Sequence, residues 1–132
     1  MKCLDCDWLI IKEFIKFKIN EFDEIKLRIY NKPLLIDENF IIKIEETDYI
    51  DENLYYYNGY EKDKLNFIRF VNAYNRLSLK DRMIIYWNFI DEEKKYSKDY
   101  LANELGYSLG YYFTIKKKVI NRFSIALGIC TI

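Results

Sequence analysis

The chain has 132 residues with 21 basic and 21 acidic side chains, so its formal net charge is zero. This length gives one domain, or one small domain with an N-terminal extension, and a chain that is 51% apolar readily supplies a packed core. A net charge of zero at first argues against a nucleic-acid partner. However, residues 1–76 hold 12 Lys and Arg against 15 Asp and Glu, whereas residues 77–132 hold 9 against 6. This asymmetry is compatible with a DNA-binding module joined to a module that does not bind DNA.

The residue types give no support for an enzyme, a cofactor or a metal site. Without histidine, general acid–base catalysis near neutral pH would need a shifted carboxylate, cysteine or lysine. Cys3 and Cys6 form a lone CxxC motif. A structural zinc site needs four ligands, and Cys130 would supply only the third. The odd cysteine count indicates a reducing cytosol. Residues 8–22 carry too many charges for a membrane span, and no signal cleavage site follows.

The first predicted element is an amphipathic helix over residues 7–22. An apolar stripe recurs at helical spacing and comprises Trp8, Ile11, Ile15, Ile19 and Phe22. Phe14 and Phe17 widen this stripe. The helix either lies in the core or pairs with a partner subunit, and the breadth of the stripe favours the partner.

Residues 25–29 and 40–44 show the alternation of β-strands, and Pro33 lies between them. One interpretation is a two-stranded hairpin. The alternative is a first helix that continues to about Tyr30 and ends before Pro33. Residues 45–59 are acidic and rich in tyrosine and predict a connecting loop, with a turn at Asn58 and Gly59.

Two further helices are predicted over residues 61–77 and 79–90. The buried positions expected in the first are Leu65, Ile68, Val71 and Tyr74 or Asn75. Ser78 and Asp81 have the spacing of a capping box at the start of the second helix. Its expected buried stripe is Leu79, Met83, Trp87 and Ile90. The charged residues 91–95 predict a solvated loop.

Residues 98–123 have the pattern of a helix, a tight turn and a second helix, the two helices covering 98–105 and 109–127. Ser97 and Ser108 are candidate N-caps, and Gly106 occupies the position where the first helix must end in a left-handed residue. The first helix has an apolar face of Leu101, Ala102 and Leu105. The inner face expected of the second is Tyr112, Ile115, Val119 and Phe123. Such a unit presents its second helix to the major groove of DNA.

The outer face of that second helix supplies the candidate DNA contacts. It is short and mixed, unlike the Glu and Lys mixture of an ordinary solvated helix, and suits base edges and thymine methyl groups. The candidate base-contacting residues are Leu109, Gly110, Phe113, Thr114 and Lys117. The candidate phosphate-contacting residues are Lys98, Ser108, Lys116, Lys118 and Arg122. A merely solvated helix face is the other interpretation of the lysine run.

Two segments resemble region 4 of bacterial sigma factors. Residues 77–86, LSLKDRMIIY, resemble the helix that precedes the helix-turn-helix of that region, and residues 100–108, YLANELGYS, resemble its core. The continuation through SLGYY at 108–112, KKKVI at 116–120, Phe123, Ala126 and Leu127 is similar to the ArpU family of phage transcriptional regulators. The resemblance covers about residues 61–128. Gly110 in the recognition helix and Ser124 depart from the family pattern, and residues before 60 match no motif.

The expected fold is mainly α, with a C-terminal sigma-4-like helix-turn-helix bundle over residues 61–132. Residues 1–60 form a helical or hairpin extension with a possible role in oligomerisation. The resemblance implies a cytoplasmic, nucleoid-associated regulator of phage late genes that binds double-stranded DNA as a homodimer or with RNA polymerase. The alternative is a protein-interaction module that docks RNA polymerase without reading DNA. A small-terminase role ranks last, because there the helix-turn-helix precedes the oligomerisation domain.

Overall fold

Five α-helices form most of the fold in a computed structural model that describes residues 8–91 and 96–128. In chain order the elements are α1 (Trp8–Ile29), β1 (Leu35–Ile36), β2 (Ile42–Lys43), a 3₁₀ turn (Glu46–Asp48), α2 (Tyr60–Asn75), α3 (Leu79–Ile85), a π-helical turn (Tyr86–Ile90), α4 (Lys98–Leu105) and α5 (Leu109–Ala126). The expectation of a mainly α fold is therefore confirmed.

Helix α1 continues to Ile29, well beyond the predicted end at residue 22. The predicted stripe is confirmed, with Trp8 partly buried and the other four positions buried, and Ile25 and Ile29 extend it at helical spacing. Leu27, between them, is exposed. Of the two interpretations of residues 25–29, the helix that continues to about Tyr30 is therefore confirmed, and the strand is wrong. Phe14 and Phe17 do not widen the buried stripe, because they lie on the exposed side of the helix.

A minimal β-hairpin follows α1, with its second arm where the sequence predicted a strand. β1 and β2 pair antiparallel, with Leu35 opposite Lys43 and Ile36 opposite Ile42. The Asp37 carboxylate accepts hydrogen bonds from the backbone amides of Asn39 (2.8 Å) and Ile41 (3.0 Å) and so folds the loop. Those bonds to the charged form, with Ile41 contributing most, lower the pKa of Asp37.

Two sets of side-chain to backbone hydrogen bonds hold this hairpin against the helices. The Asn75 side chain at the end of α2 accepts from the Ile42 amide (2.9 Å) and donates to the Ile42 carbonyl (3.0 Å). The buried Arg82 guanidinium donates to the Asn39 carbonyl at 3.1 Å and to the Leu77 carbonyl. Residues 45–59 form the predicted connection, with the 3₁₀ turn as the regular element within it.

The buried faces of α2 and α3 match the predictions only in part, and Val71 and Tyr74 are the α2 positions confirmed. In α2 the core positions are Phe67, Phe70, Val71 and Tyr74, whereas Leu65 is exposed and Ile68 only half-buried. In α3 and the turn after it, Ile84, Ile85 and Phe89 are buried, whereas Leu79 is exposed and Met83, Trp87 and Ile90 are half-buried. Both helices carry apolar residues on two overlapping faces, so the positions of the neighbouring helices decide which face is buried.

The predicted helix over residues 79–90 is α-helical only to Ile85. From Tyr86 the chain forms a wider π-helical turn, in which the Asp91 amide donates to the Tyr86 carbonyl at 2.8 Å. The Asn88 side chain donates to the Ile84 carbonyl (2.8 Å) and to the Tyr112 hydroxyl (2.9 Å). This turn therefore links α3 to the buried face of α5. Residues 92–95 of the predicted loop lie outside the described residues.

The two C-terminal helices and the turn between them form as predicted. The Ser97 and Ser108 hydroxyls accept from the backbone amides of Tyr100 (3.1 Å) and Tyr111 (3.2 Å) and cap α4 and α5. Gly106 has the left-handed φ of 76°. The Tyr107 amide donates to the Ala102 carbonyl at 2.8 Å, which closes the end of α4 as a Schellman motif. The chain thus turns in three residues from α4 to α5.

One cluster of buried residues joins the N-terminal segment to the C-terminal helices. The Phe22 ring of α1 stacks on Phe67 and Phe70 of α2, with centroids 5.0 and 4.1 Å apart. Phe70 in turn meets Phe123 of α5 edge to face at 5.6 Å. Within the described ranges, the predicted boundary near residue 60 does not separate two cores. Helix α1 is consequently fixed beside α5.

Candidate nucleic-acid interface

Helix α5 has one face in the core and one in solvent. Tyr112, Val119 and Phe123 of its predicted inner face are fully buried, and Ile115 is half-buried. All five predicted base-contacting residues lie on exposed surface: Leu109, Gly110, Phe113, Thr114 and Lys117. The helical period that buries every third or fourth residue therefore leaves these five open to a ligand.

Because Gly110 has no side chain, the helix backbone is uncovered at this position of the exposed face. A Cβ added there would meet no atom within 4 Å, so the missing side chain is not required by packing inside the protein. The Thr114 hydroxyl, one turn later, donates to the Gly110 carbonyl at 3.3 Å. Its oxygen retains accepting capacity, and rotation of the hydroxyl frees its proton for another acceptor. Backbone and hydroxyl are both accessible here.

Tyr111 is also exposed in the first turn of α5 but was missed from the sequence. Its ring, which is 52% exposed, packs edge to face on Tyr107 of the turn at 5.0 Å. The Lys80 ammonium of α3 sits 4.8 Å from the Tyr107 ring and donates to the Leu105 carbonyl at 3.2 Å. The chain is rich in tyrosine, so only the position of Tyr111 next to Gly110 could have marked it in the sequence as a candidate contact residue.

Cations from other helices border the exposed face of α5. The Lys98 ammonium at the start of α4 lies 5.1 Å from the centroid of the Phe113 ring. The Lys117 ammonium lies 5.6 Å from the ring of Trp8, the first described residue of α1. Two predicted contact residues, Lys98 and Phe113, are therefore brought together. The start of α1 is placed at the edge of the site.

Lys116 occupies a different environment from its two lysine neighbours. It is half-buried, whereas Lys117 and Lys118 are exposed. Burial, and then repulsion from Lys12, Lys98 and Lys16, lowers the pKa of the Lys116 ammonium to about 8. Lys12 and Lys16 of α1 were missed, because their approach to α5 follows from helix packing and has no signal in local sequence.

Arg122 is engaged within the protein. Its guanidinium donates two hydrogen bonds to the Asp81 carboxylate, at 2.8 and 3.0 Å, and Asp81 is only 7% exposed. This bidentate pair joins α5 to the first turn of α3. Of the predicted phosphate contacts, Lys98, Lys116 and Lys118 thus lie near the exposed face, Ser108 also caps α5, and Arg122 is committed to an ion pair.

The described residues also bear on two other classes of site, metal centres and membrane spans. Within residues 8–91 and 96–128, no group of three or more metal-binding side chains is gathered. Cys3, Cys6 and Cys130 lie outside those ranges. No helix in the same ranges combines the length and the apolar character that crossing a bilayer requires.

Comparison of the chain with protein-family models, curated proteins and solved structures finds no match. The similarity to ArpU regulators therefore depends on the residues quoted for it. The geometry of α4, α5 and the surrounding lysines is what bears on the function of this chain.

Proposed function

We propose that this protein is a sequence-specific DNA-binding transcription regulator, in which α4 and α5 act as a sigma-4-like helix-turn-helix. The observation that carries the proposal is the exposed face of α5. It combines a bare backbone at Gly110, a hydroxyl at Thr114 and an ammonium at Lys117, and lysines from neighbouring helices border it.

In this proposal α5 enters the major groove. Gly110 allows the helix backbone to approach the base edges closely. Thr114 exchanges its internal hydrogen bond for one to a base, and Lys117 reaches the O6 and N7 acceptors of guanine. Leu109 and Phe113 supply apolar contacts to thymine methyl groups. The discrimination resides in these four side chains and in the backbone at Gly110.

The flanking lysines provide affinity without reading sequence. Lys98, Lys116 and Lys118 contact backbone phosphates, and the capped N-terminus of α5 at Ser108 adds the attraction of its free amides for an anion. Three such contacts give a slope of about −3 in a plot of log K against log salt concentration. The resemblance to ArpU regulators supports action on phage or prophage late genes, in the cytoplasm and at the nucleoid.

We further propose that the protein binds as a homodimer through the outer side of α1. Four large apolar side chains there are exposed, namely Leu9 (63%), Ile10 (54%), Phe14 (49%) and Phe17 (60%). One helix-turn-helix rarely supplies enough contacts for specific binding, so two copies on adjacent half-sites would complete the site. Phe14→Glu/Phe17→Glu should yield monomers in sedimentation, whereas Leu27→Glu, on the same helix and 78% exposed, should not. Equal sedimentation of the wild type and both variants would refute the dimer.

The function is tested by selecting duplexes from a random-sequence library at about 150 mM salt and sequencing the bound fraction. The wild type should enrich one discrete motif. Gly110→Ala should abolish that enrichment while it stabilises the free protein by up to about 1 kcal/mol, since alanine favours an exposed helix and meets no neighbour. Lys26→Gln/Lys62→Gln, a charge-matched control away from α5, should enrich the wild-type motif. Absence of any enriched motif in the wild type would refute the proposal.

The second candidate is an interaction module that docks RNA polymerase. It is favoured by Leu109, Tyr111 and Phe113, because three large apolar side chains exposed in the first turns of α5 also suit a protein partner. Binding of purified polymerase without DNA, lost in Tyr111→Ser and combined with no enriched duplex, would select this function.

A further inference from the structure

Helix α1 contributes two cations to the neighbourhood of α5. Lys12 and Lys16 are one helical turn apart on α1, and after burial their repulsion contributes to the lowered pKa of Lys116. Lys98, at the first turn of α4, acts on Lys116 in the same way. Trp8, Lys12 and Lys16 recur every four residues on α1, and the Lys117 ammonium of α5 lies 5.6 Å from the Trp8 ring. This side of α1 therefore runs beside the proposed recognition helix, where Lys12 and Lys16 form a lysine cluster with Lys98 and Lys116.

Few acidic groups balance this cluster. The Glu13 carboxylate lies 3.8 Å from the Lys16 ammonium, but both side chains are more than half exposed, so the pair is weak. For Lys116 no acidic partner is recorded among the described residues, and every charged group that shifts its titration is a lysine. The cluster has the charge and the donors to hold an anion.

We propose that Lys12 and Lys16 contact backbone phosphates of the bound duplex, next to those that Lys98 and Lys116 contact. This inference rests on the proposed DNA-binding function and adds α1 to its interface. Trp8 beside Lys117 places the start of α1 at the edge of the base-reading face, where the phosphates that flank the groove would lie.

A phosphate fits this cluster better than a base does. Each lysine ammonium is a compact charge with three donors and no acceptor, so the cluster attracts an anion without distinguishing base edges. Lys116 is half-buried, and a charge pair there gains more than it would in bulk water. Contacts of this kind increase affinity for every sequence alike and set the register of the protein on the duplex.

The test compares Lys12→Gln/Lys16→Gln with the charge-matched Lys26→Gln/Lys62→Gln. Dissociation constants are measured at several salt concentrations, on the selected site and on an unrelated duplex. Loss of two phosphate contacts should flatten the salt dependence of log K by about 2. It should also weaken binding on both duplexes by the same factor, of about tenfold or more near 150 mM salt. The control should keep the wild-type slope, and equal melting temperatures should show that both variants fold.

Other outcomes overturn the inference in distinguishable ways. If the wild type binds its site and both double variants bind equally well, α1 is outside the interface while the proposed function stands. A loss confined to the selected site would show that these lysines read bases, which also contradicts a phosphate contact. If the wild type binds no duplex at all, the proposed function fails and this inference fails with it.

Discussion

The ion pair between Arg122 and Asp81 should stabilise the fold, although the sequence pattern suggested a phosphate contact for Arg122. Arg122→Gln removes both hydrogen bonds, at 2.8 and 3.0 Å, and leaves an almost fully buried carboxylate without its cation. Asp81 keeps its place in the first turn of α3, where its backbone amide donates to Ser78 at 3.3 Å. We expect α3 and α5 to pack less tightly in this variant.

The magnitude follows from the geometry and from solvent access. Hydrogen bonds to a charged group contribute about 1.5–3 kcal/mol when one partner is removed. The Arg122 side chain is 48% exposed, so water and salt screen part of this interaction. We therefore expect a loss of about 2 kcal/mol in the free energy of unfolding. For a chain of this size that corresponds to a melting temperature lower by about 6 °C.

The assay is chemical denaturation of the wild type, Arg122→Gln, Asp81→Asn and the double variant, at low and high salt. The double-mutant cycle should give a coupling energy of about 1–2 kcal/mol that decreases with salt. Lys118→Gln is the matched control, because it removes an exposed cation from the same helix and should change stability by less than about 0.5 kcal/mol.

A coupling energy indistinguishable from zero would show that the pair does not stabilise the native state. If Arg122→Gln instead weakened DNA binding without lowering stability, the side chain would act as a phosphate contact, and our assignment of it to the α3–α5 contact would be wrong.

Three further predictions concern the turn, the cap and the half-buried lysine. Gly106→Ala should lower the free energy of unfolding by about 1–2 kcal/mol in denaturation experiments, because φ is 76° there and no packing gain compensates. Ser108→Ala should cost about 1 kcal/mol, whereas Ser108→Asp should retain most of that stability. Folded Lys116 loses its proton near pH 8, whereas an unfolded lysine keeps it to about 10.5, so the contribution of Lys116 to stability should rise between these pH values. Lys116→Met should show a smaller rise, and an unchanged slope would contradict the lowered pKa.

The part of the site that the sequence predicted correctly depends on interactions between residues close together in the chain. Ser97, Gly106 and Ser108 act on amides and dihedral angles a few residues away, so each can be recognised without knowledge of the rest of the chain. The exposed face of α5 was predictable for a similar reason, because its inner residues are apolar on a single stripe.

Where a segment has two candidate apolar faces, its packing against neighbouring elements determines which face is buried. Leu65 and Phe67 are both plausible core residues of α2, and the packing of Phe67 on Phe22 and Tyr30 selects the second. The alternating residues 25–29 likewise fit a strand or a helix. Their helical form follows from burial of Ile25 and Ile29 in the common core.

The sequence by itself determined the helical class, the caps, the tight turn and the exposed residues of α5, since these depend on spacing and on contacts within a few residues. Tertiary structure alone decided that Arg122 pairs with Asp81, 41 residues away, and that Lys12 and Lys16 approach Lys116. Charges interact through space and not along the chain, so such contacts appear only when the helices carrying them are packed together.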